Sequence, residues 1–251
     1  MVSKILRKRL RLHPYKLQMV QKLHSEDKET RHAFCGNLQA LMQNDDDLLA
    51  KIIFSDEATF HLSGKANRYN VRIRGSENPH DTLEVERDSR KLNVFCAVSK
   101  QIVYGPFIFE GQTFTGRRYL EMLTSWLIPQ LAVERHDYLL QQDGASPHWH
   151  LAVCTFPNEH LPNRWIGRAG QNDQVFCKWT PRSPDLTVSD FFLWGYVKDR
   201  FYVPPLPATV DKLQGRITAA VNSVTQDMLQ SVWSELDYRI DVCRVAKGGA
   251  H

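Results

Sequence analysis

The segment AKIIFSDEATFHL, residues 50–62, constrains the fold more than any other part of the chain. It has the composition of a buried strand, yet Asp56 and Glu57 stand in its middle. Successive strand side chains face opposite sides, and Phe54, Ala58 and Phe60 share the parity of Asp56. Asp56 is therefore expected on the core-side face. A carboxylate there is costly unless it meets a cation, a partner or an exposed patch of the strand. Simple alternation with Asp56 turned to solvent is the plain alternative, and the shared parity weakens it.

The segments RYNVRIR, KLNVFCAVS and QIVYGPFIFEG follow closely, with Gly, Asn and Ser between them, and predict an antiparallel meander with the first strand. Apolar residues at helical spacing predict a helix over 115–131, and DYLLQQ predicts a further strand ending at Asp143. PNEHLPNRWIGRAGQND, residues 157–173, reads as irregular and is followed by the short apolar run VFCKW. PRSPDLTV is a loop held by two prolines, SDFFLWGYVKDRF a helix capped by Ser189, and helices over 210–221 and 226–238 follow. At the N-terminus VSKILRKRLRL has an amphipathic helical pattern that His13-Pro14 should end. A second helix is expected over 25–41 with Ser25 as its N-cap, broken by the acidic run at 44–47. Strands, a helix, another strand and a helical tail make an α/β chain: a mixed sheet with helices on its faces.

With 251 residues, 42% of them hydrophobic and 24% charged, the chain suits one large soluble domain, or one with a small appendage. No apolar run approaches the roughly 20 residues that cross a bilayer. The basic start lacks a signal-peptide core, so an intracellular protein without membrane contact is expected. Five cysteines without a C-x-x-C pair argue against a disulfide framework or a structural zinc site. His148, His150, Cys154 and His160 are too irregularly spaced for zinc, and Ser183 and Ser189 have no evident His-Asp partners. The net charge of +4 is unevenly placed: Lys4, Arg7, Lys8, Arg9, Arg11 and Lys16 precede the first acidic residue. Such a segment can meet the phosphates of DNA, or simply be a solvated tail.

Two more acids sit at the edges of apolar elements. Asp143 closes a strand in QQDGASPHWH, where Asp-Gly is also a common turn signal. Asp190 opens a helix before FFLW, where a carboxylate is also favoured by the helix dipole. Each has an ordinary explanation alone, but three acids far apart in sequence fit a fold that gathers carboxylates around two divalent metals. At an effective dielectric of 20, two carboxylates about 4 Å apart repel by roughly 4 kcal/mol. Divalent cations remove that penalty, and hard oxygen donors suit Mg²⁺, with Mn²⁺ as substitute.

FSDEATFHL, SENPH at 76–80, LLQQDGASPHW and PRSPDLTVSDFFLWG together resemble the catalytic domain of mariner-type transposases of the Tc/mariner superfamily. The match runs from about residue 5 to 245, with four motifs in the expected order. It implies a ribonuclease H-like domain over 46–251, preceded over 1–45 by the remnant of a helix-turn-helix module and linker. It implies Mg²⁺-dependent cleavage and rejoining of transposon-end and target DNA by a nuclear, dimeric enzyme with Asp56, Asp143 and Asp190 as catalytic metal ligands. Asp185 competes for the third place or positions its loop; His148 orients a phosphate or water, or simply packs in the core. The basic residues from Lys4 to Lys16 would touch DNA. Two departures accompany the resemblance. The interval from Asp143 to Asp190 is long, as though 157–173 were an inserted loop, and the chain begins within what resembles the last helix of the second DNA-reading module. A catalytically inactive, transposase-derived DNA-binding protein is the alternative, as is a structure-selective nuclease on the same fold.

Overall fold

A computed structural model describes residues 21–62, 90–109, 114–134, 136–203 and 205–250. The first predicted helix, the basic candidates Lys4, Arg7, Lys8, Arg9, Arg11 and Lys16, the segment RYNVRIR and the SENPH motif lie outside these residues.

Three of the four segments predicted to form a meander are described, and they do so. Strands β1 (Ile52–His61), β2 (Lys91–Val98) and β3 (Val103–Phe109) pair antiparallel in sequence order. On the other edge of β1, three short strands add in parallel: β4 (Leu139–Gln141), β5 (Trp165–Gly167) and β6 (Cys177–Lys178). The six-stranded order is β3-β2-β1-β4-β5-β6. Strand β5 corrects the reading of 157–173 as an inserted loop. Its start ends a helix (Leu151–His160), and its middle is a sheet strand whose Trp165 and Ile166 are buried. Three residues are too few to display a period of two, and nearby Pro and Gly disguised them.

Alternation sorts the strands onto two cores. Phe54, Ala58 and Phe60 of β1 and Leu92, Val94, Cys96 and Val98 of β2 pack on one face. There they meet α1 (Ser25–Met42), α4 (189–201), α5 (Val210–Asn222) and α6 (Gln226–Val245). Ile53, Phe95 and Ala97 face the other way, onto α2 (116–134) and α3 (Leu151–His160). The result is three layers with the sheet in the middle. Helix α6 shows the 3.6-residue stripe directly: Leu229, Val232, Trp233, Leu236, Ile240 and Cys243 are all buried. Helix α1 lays Phe34, Cys35 and Leu38 into the same core as the sheet and packs on α6.

Helix ends follow local chemistry, with two corrections. Thr115, Thr209 and Thr225 accept backbone N–H bonds from Arg118, Lys212 and Met228 at the starts of α2, α5 and α6. At α1 the cap is His24 rather than Ser25, its backbone N–H donating to Asp27 Oδ2 at 2.8 Å. At α4 Ser189 is inside the helix; Thr187 O instead accepts the N–H groups of Asp190 and Phe191, at 3.0 and 3.1 Å. Both α2 and α4 contain a π-helical turn, Leu123–Leu127 and Ser189–Leu193. Helix α6 runs to Val245, beyond the predicted end at 238, because buried Ile240 and Cys243 continue its stripe. Among the described residues no helix is long and apolar enough to cross a membrane.

Candidate metal centre

Asp56 shares a face with Phe54, Ala58 and Phe60, as the parity required. Its position beside Asp143 follows from strand register. Strands β1 and β4 are parallel with Phe54 opposite Gln141, the last pair, and Asp56 and Asp143 each lie two residues beyond it. Neighbouring strands lie about 4.8 Å apart, and residues opposite in a parallel pair face the same side. Asp190 arrives from elsewhere. It lies in the first turn of α4, and Trp194, four residues on, donates its indole N–H to Asp56 Oδ2 at 2.6 Å. One helix face thus carries both Asp190 and the residue that holds Asp56.

The electrostatics show that the three acids sense one another. Burial, then the charges of Asp190 and Glu57, push the Asp56 carboxyl up to about 8, despite the stabilising bond from Trp194. Asp190 is the exposed member of the set. Partial enclosure by the cleft and the Asp143 charge push its carboxyl up to about 6, a smaller rise, as access to water requires. Asp143 moves the other way. Burial would raise it, but hydrogen bonds from His148 and the Ala145 N–H outweigh burial and hold it below the ordinary carboxylate value.

His148 has a defined role here. Its Nδ1 is 3.0 Å from Asp143 Oδ1, its Nε2 is 3.5 Å from Glu57 Oε1, and its ring packs on Tyr119 with centroids 4.4 Å apart. Burial alone would lower the imidazole pKa; the two carboxylates override it and lift it to about 10. The ring thus lies between two acids, Asp143 and Glu57; the Glu57 side chain is 12% exposed, and burial raises its carboxyl. His148 is packed in the core, as one of its two readings had it.

Asp185 is placed apart from these acids in role. Its two oxygens take a bidentate pair of bonds, at 2.8 and 2.5 Å, from the guanidinium of Arg31, whose side chain is 0% exposed. Arg31 also donates to Ser183 Oγ and Gly248 O, and the Asp185 carbonyl accepts from Arg239. Asp185 is thereby committed to fastening its loop to α1 and the C-terminal turn. Arg182 in the same loop has φ +51°, a conformation side chains rarely adopt, and one of its guanidinium nitrogens donates to both oxygens of Asp27, at 2.6 and 2.7 Å.

The sequence reading missed Glu57, Trp194 and Arg31. Only Trp194 left a signal, its spacing from Asp190. Gly144 departs from expectation too: it has no positive φ, and an added Cβ would meet nothing within 4 Å. The bend after Asp143 does not require glycine; the Ala145 N–H bonded to Asp143 Oδ1 at 2.9 Å closes it. Asp143 and Asp190 line one cavity of about 640 Å³. Among the described residues no three His, Cys, Asp or Glu side chains lie close enough to share one ion. The donor set nevertheless suits hard cations: three carboxylates, two of them raised by burial and by neighbouring negative charge. His148, His150, Cys154 and His160 form no such group, and Cys154 is exposed while Cys35, Cys96 and Cys243 are buried free thiols.

A meander running into a parallel sheet between two helical layers defines a ribonuclease H-like fold. Among solved structures it is the fold of the Mos1 mariner transposase catalytic domain. The chain matches a pre-cleavage Mos1 transpososome with a TM-score of 0.76 and 17% identity, over 100% of this chain and 71% of that one. It matches a mariner Mos1 paired-end complex with Mg with a TM-score of 0.76 and 18% identity, over the same shares. The isolated Mos1 catalytic domain gives 0.68 and 16%, over 93% of this chain and all of that one. No protein-family model and no curated protein matches the sequence.

Proposed function

We propose that this chain is a metal-dependent transposase that cuts DNA strands and joins them to a target. The observations that support it are that Asp143 and Asp190 line one cavity, that the Asp190 and Asp143 charges act on the Asp56 carboxyl, and that Trp194 of the helix carrying Asp190 is bonded to Asp56. These carboxylates would hold Mg²⁺, or Mn²⁺ in its place. Such ions, when bound, make an attacking water or 3′-hydroxyl nucleophilic and stabilise the leaving oxygen of a phosphodiester.

The rest of the site holds its ligands still. Trp194 and the Glu57 N–H fix both oxygens of Asp56, at 2.6 and 2.7 Å, and so its rotamer. Ala145 N–H and His148 both meet Oδ1 of Asp143, and Glu57 lies 3.5 Å from the far ring nitrogen of His148. Arg31 fastens the loop that delivers α4, and with it Asp190. Pre-positioned ligands of this kind are what metal-assisted displacement needs, because misplacement by about 1 Å costs on the order of 100-fold in rate. The similarity to Mos1 complexes with transposon ends favours DNA ends as substrate. The same reading takes a nuclear dimer as the working form, with the Lys4–Lys16 region contacting DNA phosphates.

The test is nicking of supercoiled or transposon-end DNA in Mg²⁺ and Mn²⁺. Asp143→Ala abolishes it if the reading holds; unchanged nicking by that variant defeats it. Joining of a cut end to a second duplex separates a transposase from a nuclease. DNA binding without cleavage by the unmutated chain would instead indicate a transposase-derived binding protein.

A further inference from the structure

Trp149 is unusual among the large apolar side chains near the cleft. It is 59% exposed, yet its indole is fixed: Nε1 donates to Gly144 O at 2.8 Å, tying the ring to the turn that carries Asp143. Arg168 lies over the indole, with its guanidinium carbon 3.9 Å from the ring centroid. Arg168 follows directly on β5 as Asp143 follows β4, so both stand at the carboxyl ends of parallel neighbours, where such sheets bind ligands. The pair forms a rib between two cavities, of about 640 and 430 Å³, and both cavities include Asp143, Gly144, Trp149 and Arg168. Among the described residues Arg168 has no carboxylate partner, so its charge is free for a ligand.

We propose that Trp149 and Arg168 form a subsite for an unpaired nucleotide flanking the phosphodiester that the carboxylates act on, a reading that rests on the DNA substrate proposed above. The indole stacks on the base and Arg168 meets the adjacent phosphate. An exposed, rigid aromatic face offers little to duplex DNA, whose base faces are already covered by their neighbours. It suits an unstacked base, and aromatic rings beside basic side chains are how proteins hold single strands. The subsite thus selects DNA whose end is frayed or already nicked.

The experiment compares binding of a labelled blunt duplex with binding of the same duplex carrying a short unpaired end. Ca²⁺ is present to neutralise the carboxylates. The full chain should prefer the unpaired end, and Trp149→Ala should erase about tenfold of that preference, while Trp149→Phe keeps most of it. Arg168→Gln should weaken binding of the unpaired end and reduce its log–log salt slope by about one. Equal affinity for both DNAs, or a preference untouched by Trp149→Ala, overturns the proposal while leaving the transposase reading standing. Failure to bind either DNA overturns both. Altered self-association of Trp149→Ala with unchanged DNA preference assigns the indole to a protein contact and also overturns it.

Discussion

Asp185 and Asp190 sit in one short segment, and their neighbours give them different work. Arg31 claims both oxygens of Asp185, whereas Asp190 faces the cleft and other acids. Because Arg31 is enclosed, Arg31→Ala would leave Asp185 without its countercharge. We expect a loss of about 3–5 kcal/mol in urea unfolding. A loss below about 1 kcal/mol would mean the pair is not closed in solution. Asp27 supplies a pH dependence. The N–H of His24, together with Arg182, holds its carboxyl below the ordinary value of 3.8 despite opposition from burial. Its stabilising effect is complete above the unfolded-state pKa and fades as pH falls through the lower folded-state pKa. The urea midpoint should therefore drop on acidification below about pH 4, and Asp27→Asn should be less stable at neutral pH with a flatter acid limb. Asp56 could be singled out from the sequence because its neighbours at i±2 and i+4 are apolar. Arg31 could not, since its partners lie more than 150 positions away.

Elements were legible in proportion to their length. Ten residues of β1 and twenty of α6 repeat their periods often enough to be recognised, while three-residue β5 is defined only by strands β4 and β6 beside it. Caps are readable when the residue type satisfies an otherwise unpaired N–H, as Thr225 does at α6. Thr225→Ala should cost about 1 kcal/mol and Thr225→Ser little, measured by thermal unfolding. At α4 the same reasoning chose Ser189 wrongly, because a preceding turn already supplied Thr187 O and the serine hydroxyl is buried inside.

At the scale of the molecule, three acids are held near one another by a sheet register and a helix that no local energy would bring together. Divalent cations should therefore stabilise the folded chain. At Mg²⁺ or Mn²⁺ about 100-fold above Kd the gain is about 2.7 kcal/mol, or several degrees in Tm. Asp56→Asn should remove most of that gain while raising the metal-free Tm. A metal shift identical in the mutant would show that ions bind elsewhere. The sequence by itself determined the alternation of β1 and the stripes of the C-terminal helices, because these are set by residues a few positions apart. Tertiary structure alone decided that Phe54 pairs with Gln141, two residues before Asp56 and Asp143, and that Trp194 bonds Asp56. It also decided that Asp185 is taken by Arg31. Those choices depend on which distant segments become neighbours, and burial makes each contact strong only after the layers have closed around it.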